Sequence, residues 1–273
     1  MVTEPTSPAE EEALPFVAPC RELSPAAPWR WFKMGLQDIR RAPWQSLTYG
    51  FVMAVLIFGV SLLSWFYGRA WLMLSALCGF VFLAPLSCIG IYAISAQIER
   101  NQPVSMIRTL RAAFKRYLGS ELVFALVLMV IFLLWARAGS VISIFFPDEA
   151  NADVVSLLTY WMVFIAVGAV FAGLTFAASV FALPMIMHRD VDTITAVLTS
   201  VNAVLRNKRA MLVWIALIVL ALLLGMATAF LGLIVLLPAI GHAVWHGYLE
   251  TIDASQFPRH EVGITAVART PDP

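Results

Sequence analysis

Apolar residues in this chain come in long blocks rather than in alternation. Five blocks stand out: residues 46–66, 70–94, 117–136, 154–186 and 210–249. A helix needs about 20 mostly apolar residues to cross a hydrocarbon core of roughly 30 Å. The first three blocks fit one crossing each, and only Tyr67, Gly68 and Arg69 separate the first from the second. The block 154–186 is longer than one crossing requires. The last block would be about 60 Å long as a single helix, twice the core, at about 1.5 Å per residue. It is therefore expected to fold back on itself, with the break between residues 225 and 232. The pattern predicts an all-α polytopic membrane bundle of six transmembrane helices.

Shorter amphipathic runs precede the spans. Before the first, Trp29, Phe32, Leu36 and Ile39 recur at helical spacing, opposite Arg30, Lys33, Gln37 and Arg41. Before the third, Ile107, Leu110, Phe114 and Tyr117 do so, opposite Arg108, Arg111 and Lys115. Before the fifth, Ile194, Val197, Val201 and Val204 stand opposite Thr195, Thr199, Asn202 and Arg206. Pro28, Ser105 and Asp192 read as helix starts. Prolines 85, 184 and 238 fall near the close of each pair of spans. The unit is thus an interfacial amphipathic helix followed by a hairpin of two spans, pseudo-repeated three times. Its expected bounds are a disordered cytoplasmic tail over 1–27, a six-span membrane domain over 28–250 and a second disordered cytoplasmic tail over 251–273.

Composition agrees with a membrane protein. The 273 residues are 61% hydrophobic and 13% charged, with a mean hydropathy of +0.84; soluble domains run at about 45–50% apolar and about 25% charged. Net charge is +1 and predicts no partner, but its distribution is informative. Of the 18 Lys and Arg residues, all but Arg69 and Arg137 fall on one side of the six-span arrangement. By the positive-inside rule both termini face the cytoplasm. The first two amphipathic helices, basic and aromatic, suit anionic headgroups on that leaflet. The third is nearly neutral and suited to packing on protein.

Candidate chemistry is sparse. No Asp, Glu, Lys or Arg lies well inside a span, which argues against an ion-coupled transporter. Cys20, Cys78 and Cys88 form no metal or disulfide framework. The first residues, with Glu4 and Glu10 to Glu12, lack the apolar core of a signal peptide. Asp148, Glu149 and Asp153 lie in an outer loop and have the chemistry for weak divalent-cation binding, or simply for a solvated loop. Span four carries small residues at Gly168, Ala169, Ala172, Gly173 and Ala177, a pattern for close helix packing within the chain or at a homodimer seam. His242 and His246 share one face of span six, with His188 ending span four on the same side. These three imidazoles are the one candidate metal set, for a transition metal or a haem. The alternative is polar anchoring, with Trp245 and Tyr248 as interfacial aromatics. No phosphate-loop, dinucleotide, zinc-protease or serine-hydrolase motif is present, so no catalytic residue is named and no cofactor is predicted beyond that metal or haem. The basic stretches belong to membrane-surface helices and predict no nucleic-acid binding.

Several motifs carry a family likeness. They are Leu23-Ser-Pro-Ala-Ala-Pro-Trp-Arg-Trp31 with Leu47-Thr-Tyr-Gly50, and His188-Arg-Asp-Val-Asp192 with Thr195-Ala-Val-Leu-Thr-Ser200 and Ala203-Val-Leu-Arg-Asn207. The last is Leu237-Pro-Ala-Ile-Gly-His-Ala-Val-Trp-His-Gly-Tyr248. The chain resembles, over roughly residues 21–250, an uncharacterised bacterial integral-membrane family, domain of unknown function 2189. The resemblance implies a fold and a place in the bacterial inner membrane, and no active site. Three functions stay open: a non-catalytic scaffold, assembly or lipid-interacting factor, with a membrane-protein partner or a second copy; a transporter or channel for a neutral or amphipathic solute; and a metal- or haem-binding redox accessory.

Overall fold

The computed structural model describes residues 15–66, 87–105, 118–144 and 153–259. Among these, nine helices form: α1 (Ala27–Arg41), α2 (Pro43–Phe66), α3 (Ile89–Glu99), α4 (Leu118–Ile144), α5 (Val154–Ser179), α6 (Ala182–His188), α7 (Thr193–Arg206), α8 (Lys208–Ala227) and α9 (Leu233–Thr251). Five stretches are long and apolar enough to cross a membrane: Pro43–Leu63, Leu122–Ile142, Val154–His188, Lys208–Ala227 and Leu233–Thr251. They match the first, third, fourth, fifth and sixth expected spans. Of the second, residues 70–86 lie outside the described residues, and α3 begins at its end. The amphipathic run 107–117, Cys78, Pro85, Asp148 and Glu149 lie outside them too. The six-span count and the threefold repeat therefore rest on the sequence pattern.

The long last block does fold back. Helix α8 ends at Ala227 and α9 begins at Leu233. Between them Ala229 and Phe230 take left-handed backbone, φ 50° and 68°. The Thr228 hydroxyl accepts from the Gly232 N–H at 2.8 Å and donates to the Gly225 carbonyl at 2.9 Å. One short side chain thus serves a carbonyl ending one helix and an N–H opening the next, groups that lipid cannot satisfy.

Helix α9 is the central element, packed against α1, α2, α3 and α8. It is approached at backbone distance. A Cβ on Gly50 of α2 would overlap the Ile234 carbonyl and lie 2.8 Å from Pro238 Cγ. Pro238 has no N–H for the Ile234 carbonyl four residues back, and Gly50 sits against that freed oxygen. A Cβ on Gly35 of α1 would overlap the Ala239 carbonyl and lie 2.9 Å from the Ala243 nitrogen. Small residues at helix crossings are how membrane helices gain contact where lipid is as apolar as the partner.

Two amphipathic helices bury faces other than those hydrophobicity suggests. In α1 the buried side is Ala27, Pro28, Trp31, Gly35, Asp38 and Ile39, while Trp29 is half exposed. The crossing at Gly35 and the 2.6 Å contact of Asp38 with His246 of α9 orient the helix. In α7 the inversion is fuller: Thr193, Thr195, Ala196, Thr199, Ser200 and Ala203 are buried, whereas Ile194 and Leu205 are exposed. Its hydroxyls serve backbone groups of neighbours. The Thr199 Oγ1 accepts from the Ala18 N–H at 3.0 Å. Ser200 Oγ accepts from the Phe181 N–H at 3.1 Å and donates to the Ala177 carbonyl at 2.7 Å. Residues 177 and 181 are one rung of a helix ladder, so Ser200 is inserted into it where α5 breaks from α6. Pro184 follows three residues later and stabilises the break.

Among the described residues, hydrogen bonds tie the stretches 15–26 and 252–259 to each other and to the helices. Arg21 N–H donates to the Thr251 carbonyl at 2.8 Å and Asp253 N–H to the Pro19 carbonyl at 2.9 Å. Asn207, at the α7–α8 junction, accepts from the Leu23 N–H at 2.8 Å and donates to the Arg21 carbonyl at 3.1 Å. Ala18 and Phe257 are buried. Composition alone, rich in Pro, Ala and Glu, does not reveal these bonds.

Candidate functional site

The polar residues singled out in the sequence gather on and around the C-terminal half of α9, each with its own partner. His242 is fully buried, with Ser46 Oγ of α2 3.0 Å from Nε2 and Ser95 Oγ of α3 2.6 Å from Nδ1. A neutral imidazole donates from one nitrogen and accepts at the other. One serine therefore accepts and the other donates, and α2, α3 and α9 are tied through a single ring. His246, one turn on, places Nε2 2.6 Å from Asp38 Oδ2 of α1. Asp38 is buried, and Arg41 Nη1 lies 3.7 Å from its other oxygen. His188 ends α6 and shares a 2.9 Å hydrogen bond between Nδ1 and the Tyr248 hydroxyl. Its ring stands 5.6 Å from both Trp245 and Tyr248.

The three imidazoles thus serve separate partners, four residues in all, and among the described residues no three His, Cys, Asp or Glu side chains converge as a metal-ligand group. Trp245 and Tyr248, read in sequence as interfacial anchors, are buried. Trp245 Nε1 donates to Glu99 Oε2 at 3.2 Å. Trp31 stands edge-on to Phe181 and Trp214 and donates from Nε1 to Glu250 Oε2 at 2.8 Å. Arg30 pairs with the other oxygen of Glu250. Trp245 and Trp31 turn inward with their indole N–H groups bonded to carboxylates, whereas the buried Trp214 Nε1 has no hydrogen-bond partner among the described residues.

Sequence reasoning missed Asp38, Ser46, Ser95, Glu99 and Ser200. Asp38 carried a usable signal, a lone acid within a basic helix. The serines carried none, since a hydroxyl inside an apolar block is common.

The chemistry open to this arrangement is limited by access. A serine beside an imidazole is the beginning of a nucleophile, yet Ser46 and His242 are 0% exposed and Ser95 1%. Cys20 is free, and burial pushes its thiol up, against the hydrogen bond from Asn202 and the charge of Arg206. A raised thiol is a poor nucleophile at neutral pH. Asp192 accepts from the Thr195 N–H at 2.9 Å and is a helix cap. The small-residue pattern of span four divides: Gly168 and Ala172 are half-buried, whereas Ala169 and Gly173 are exposed, and a Cβ on Gly173 would meet nothing within 4 Å.

Neither the curated proteins nor the solved structures contain a match to this chain. Most motifs of the resemblance, at 23–31, 47–50, 195–207 and 237–248, lie outside the stretch that a family model matches, and His188 closes that stretch. Residues 72–188 match the model described as a predicted integral membrane protein, DUF2189, the family that the sequence itself resembles.

Proposed function

We propose that this integral membrane protein is a non-catalytic, six-span scaffold, assembly or lipid-interacting factor of the bacterial inner membrane, with both termini cytoplasmic. The second span runs through residues 70–94, and α1 lies on the anionic headgroups of the cytoplasmic leaflet. One observation carries the lipid-facing part. Helix α1 is fixed to α9 by Gly35, Trp31 and Asp38, and its opposite face presents Trp29, Lys33, Met34, Gln37 and Arg40 outward. A face of basic and large apolar groups suits the headgroup region, where cations meet phosphates and aromatic rings sit at the acyl boundary. Support for a non-catalytic role comes from the buried polar groups, which hold helices together and are closed to substrate. The transporter reading draws on the α5–α6 break, but Ser200 fills that break. The metal or haem reading requires His188, His242 and His246 to give up their present partners.

Nanodiscs of phosphatidylcholine, with and without phosphatidylglycerol, test the lipid part. Phosphatidylglycerol is expected to raise the melting temperature of the wild type, and Lys33→Glu with Arg40→Glu to remove that gain. An equal gain in the double variant refutes the role of α1. Single-cysteine labelling tests the topology: Gln37→Cys is expected to react from the cytoplasmic side and Ala229→Cys from the opposite side. Labelling of both from one side overturns it.

A further inference from the structure

We propose that α7 lies embedded in the membrane surface, with its outward aliphatic face covered by lipid acyl chains. This contact is separate from the one proposed for α1, whose outward face is basic and aromatic.

The first argument is the face itself. Ile194, Val197, Leu198, Val201 and Leu205 recur at helical spacing and so share one side of α7. Ile194 and Leu205 are 60% and 57% exposed and Leu198 37%, while Val197 and Val201 are half-buried. No side chain in that stripe carries a polar atom. The polar side of the helix is turned to the protein instead, where Thr199 bonds to Ala18 and Ser200 to Ala177 and Phe181. An aliphatic stripe running the length of the helix is unfavourable against water. A protein partner's contact surface carries about one hydrogen bond per 100–200 Å², and this stripe has no side chain to make one. Acyl chains require none.

The second argument is length. Helix α7 has 14 residues and is therefore about 21 Å long, too short for a core of roughly 30 Å. It joins the end of the crossing stretch Val154–His188 to the start of the next, Lys208–Ala227. Both its ends thus lie on one side of the membrane, where the chain leaves and re-enters it. In the topology proposed above that side is the cytoplasmic one. Ser200 ties the middle of the helix to Ala177 and Phe181, which belong to the first of those crossing stretches. Held at both ends and in the middle, α7 runs along the membrane boundary rather than standing off it.

The third argument is charge. Arg206, Lys208 and Arg209 are exposed at the α7–α8 junction, and among the described residues the ion pairs involve none of them. Cations at that level meet lipid phosphates, while the aliphatic side chains beside them reach into the acyl layer. Asp192, exposed at the opposite end, caps the helix and stays at the headgroups, where water reaches it.

The test uses the full-length wild-type protein in phosphatidylcholine proteoliposomes. A trace of the lipid carries a diazirine near the carbonyl end of one acyl chain. Photolysis gives a carbene that inserts into neighbouring C–H bonds, and the adducts are mapped by mass spectrometry. Adducts are expected on Ile194, Leu198 and Leu205, at yields comparable to that on Leu212, an exposed leucine in the second turn of α8. Thr199 and Ser200, on the buried side, are expected to stay unlabelled. Labelling of Leu212 without labelling of Ile194, Leu198 and Leu205 overturns the proposal, because a face covered by a second copy, covered by another protein or open to water gives that result. Phosphatidylcholine suffices, so the outcome does not depend on anionic headgroups. The Lys33→Glu and Arg40→Glu variant is expected to label on α7 as wild type does, which separates this proposal from the one for α1.

Discussion

Replacing Ser200 by alanine should destabilise the protein more than any other loss of a single hydroxyl. The Ser200 side chain is 0% exposed and makes two hydrogen bonds, one to each side of an opened helix rung. Alanine leaves the buried Phe181 N–H and the half-buried Ala177 carbonyl without their Ser200 partner. Each such group costs about 1–3 kcal/mol, so the expected loss is roughly 2–4 kcal/mol once partial relaxation is allowed. The helix could recover by closing the 177–181 rung, but that straightens the chain through Pro184, whose ring clashes with the carbonyl four residues earlier, at Val180. Thermal unfolding in detergent, followed by tryptophan fluorescence, should fall by roughly 4–16 °C for Ser200→Ala, at about 2–4 °C per kcal/mol for a protein of this size class. Amide exchange at Phe181 should quicken in parallel. Thr159→Ala, which removes an exposed bond to the Val155 carbonyl within α5, is the control and should stay within about 0.5 kcal/mol. Adding Pro184→Ala to Ser200→Ala should recover part of the loss by letting the rung close. A Ser200→Ala protein that melts like the control, with unchanged exchange at Phe181, refutes the inserted-rung account.

Three further outcomes follow from named contacts. Gly50→Ala drives a methyl group into the Ile234 carbonyl and Pro238 and should cost about 1–3 kcal/mol or more by prising α2 from α9, read as a lower melting temperature; an unchanged one refutes the close crossing. Asp192 is held below its ordinary 3.8: burial raises it, but the Thr195 hydroxyl and the N–H groups of Thr195 and Ile194 more than offset that. Its contribution is therefore present above the unfolded value and lost as pH falls through the lower folded one, so Asp192→Asn should flatten the acid limb of the stability profile below pH about 4. Elemental analysis with a visible spectrum should find no stoichiometric metal or haem, because both His242 ring nitrogens are already bonded to serines; a bound metal or Soret band that His242→Ala or His246→Ala removes contradicts that reasoning.

Much of the fold was legible because membrane spans are local. A run of apolar residues about 20 long is satisfied by lipid, and its backbone bonds lie within the run. Hence the blocks at 46–66, 117–136, 154–186 and 210–249 correspond to helices in the structure, and the last one breaks where its length demanded. Helix starts at Pro28 and Asp192 were equally local, since proline fits the first turn and a carboxylate caps free N–H groups.

What the sequence could not settle was which way each helix faces. In water the apolar side of a helix turns inward, so periodicity names the buried face. In lipid an apolar side is content outside, and small or hydroxylated residues give the better contact. Helix α7 therefore exposes Ile194 and Leu205 and buries Thr199 and Ser200. The histidines illustrate the same division. Their spacing put His242 and His246 on one face, but only the tertiary structure decided that one meets Ser46 and Ser95 while the other meets Asp38. Those partners sit on α2, α3 and α1, and no local pattern encodes a contact between helices some 150 to 210 residues apart in the chain.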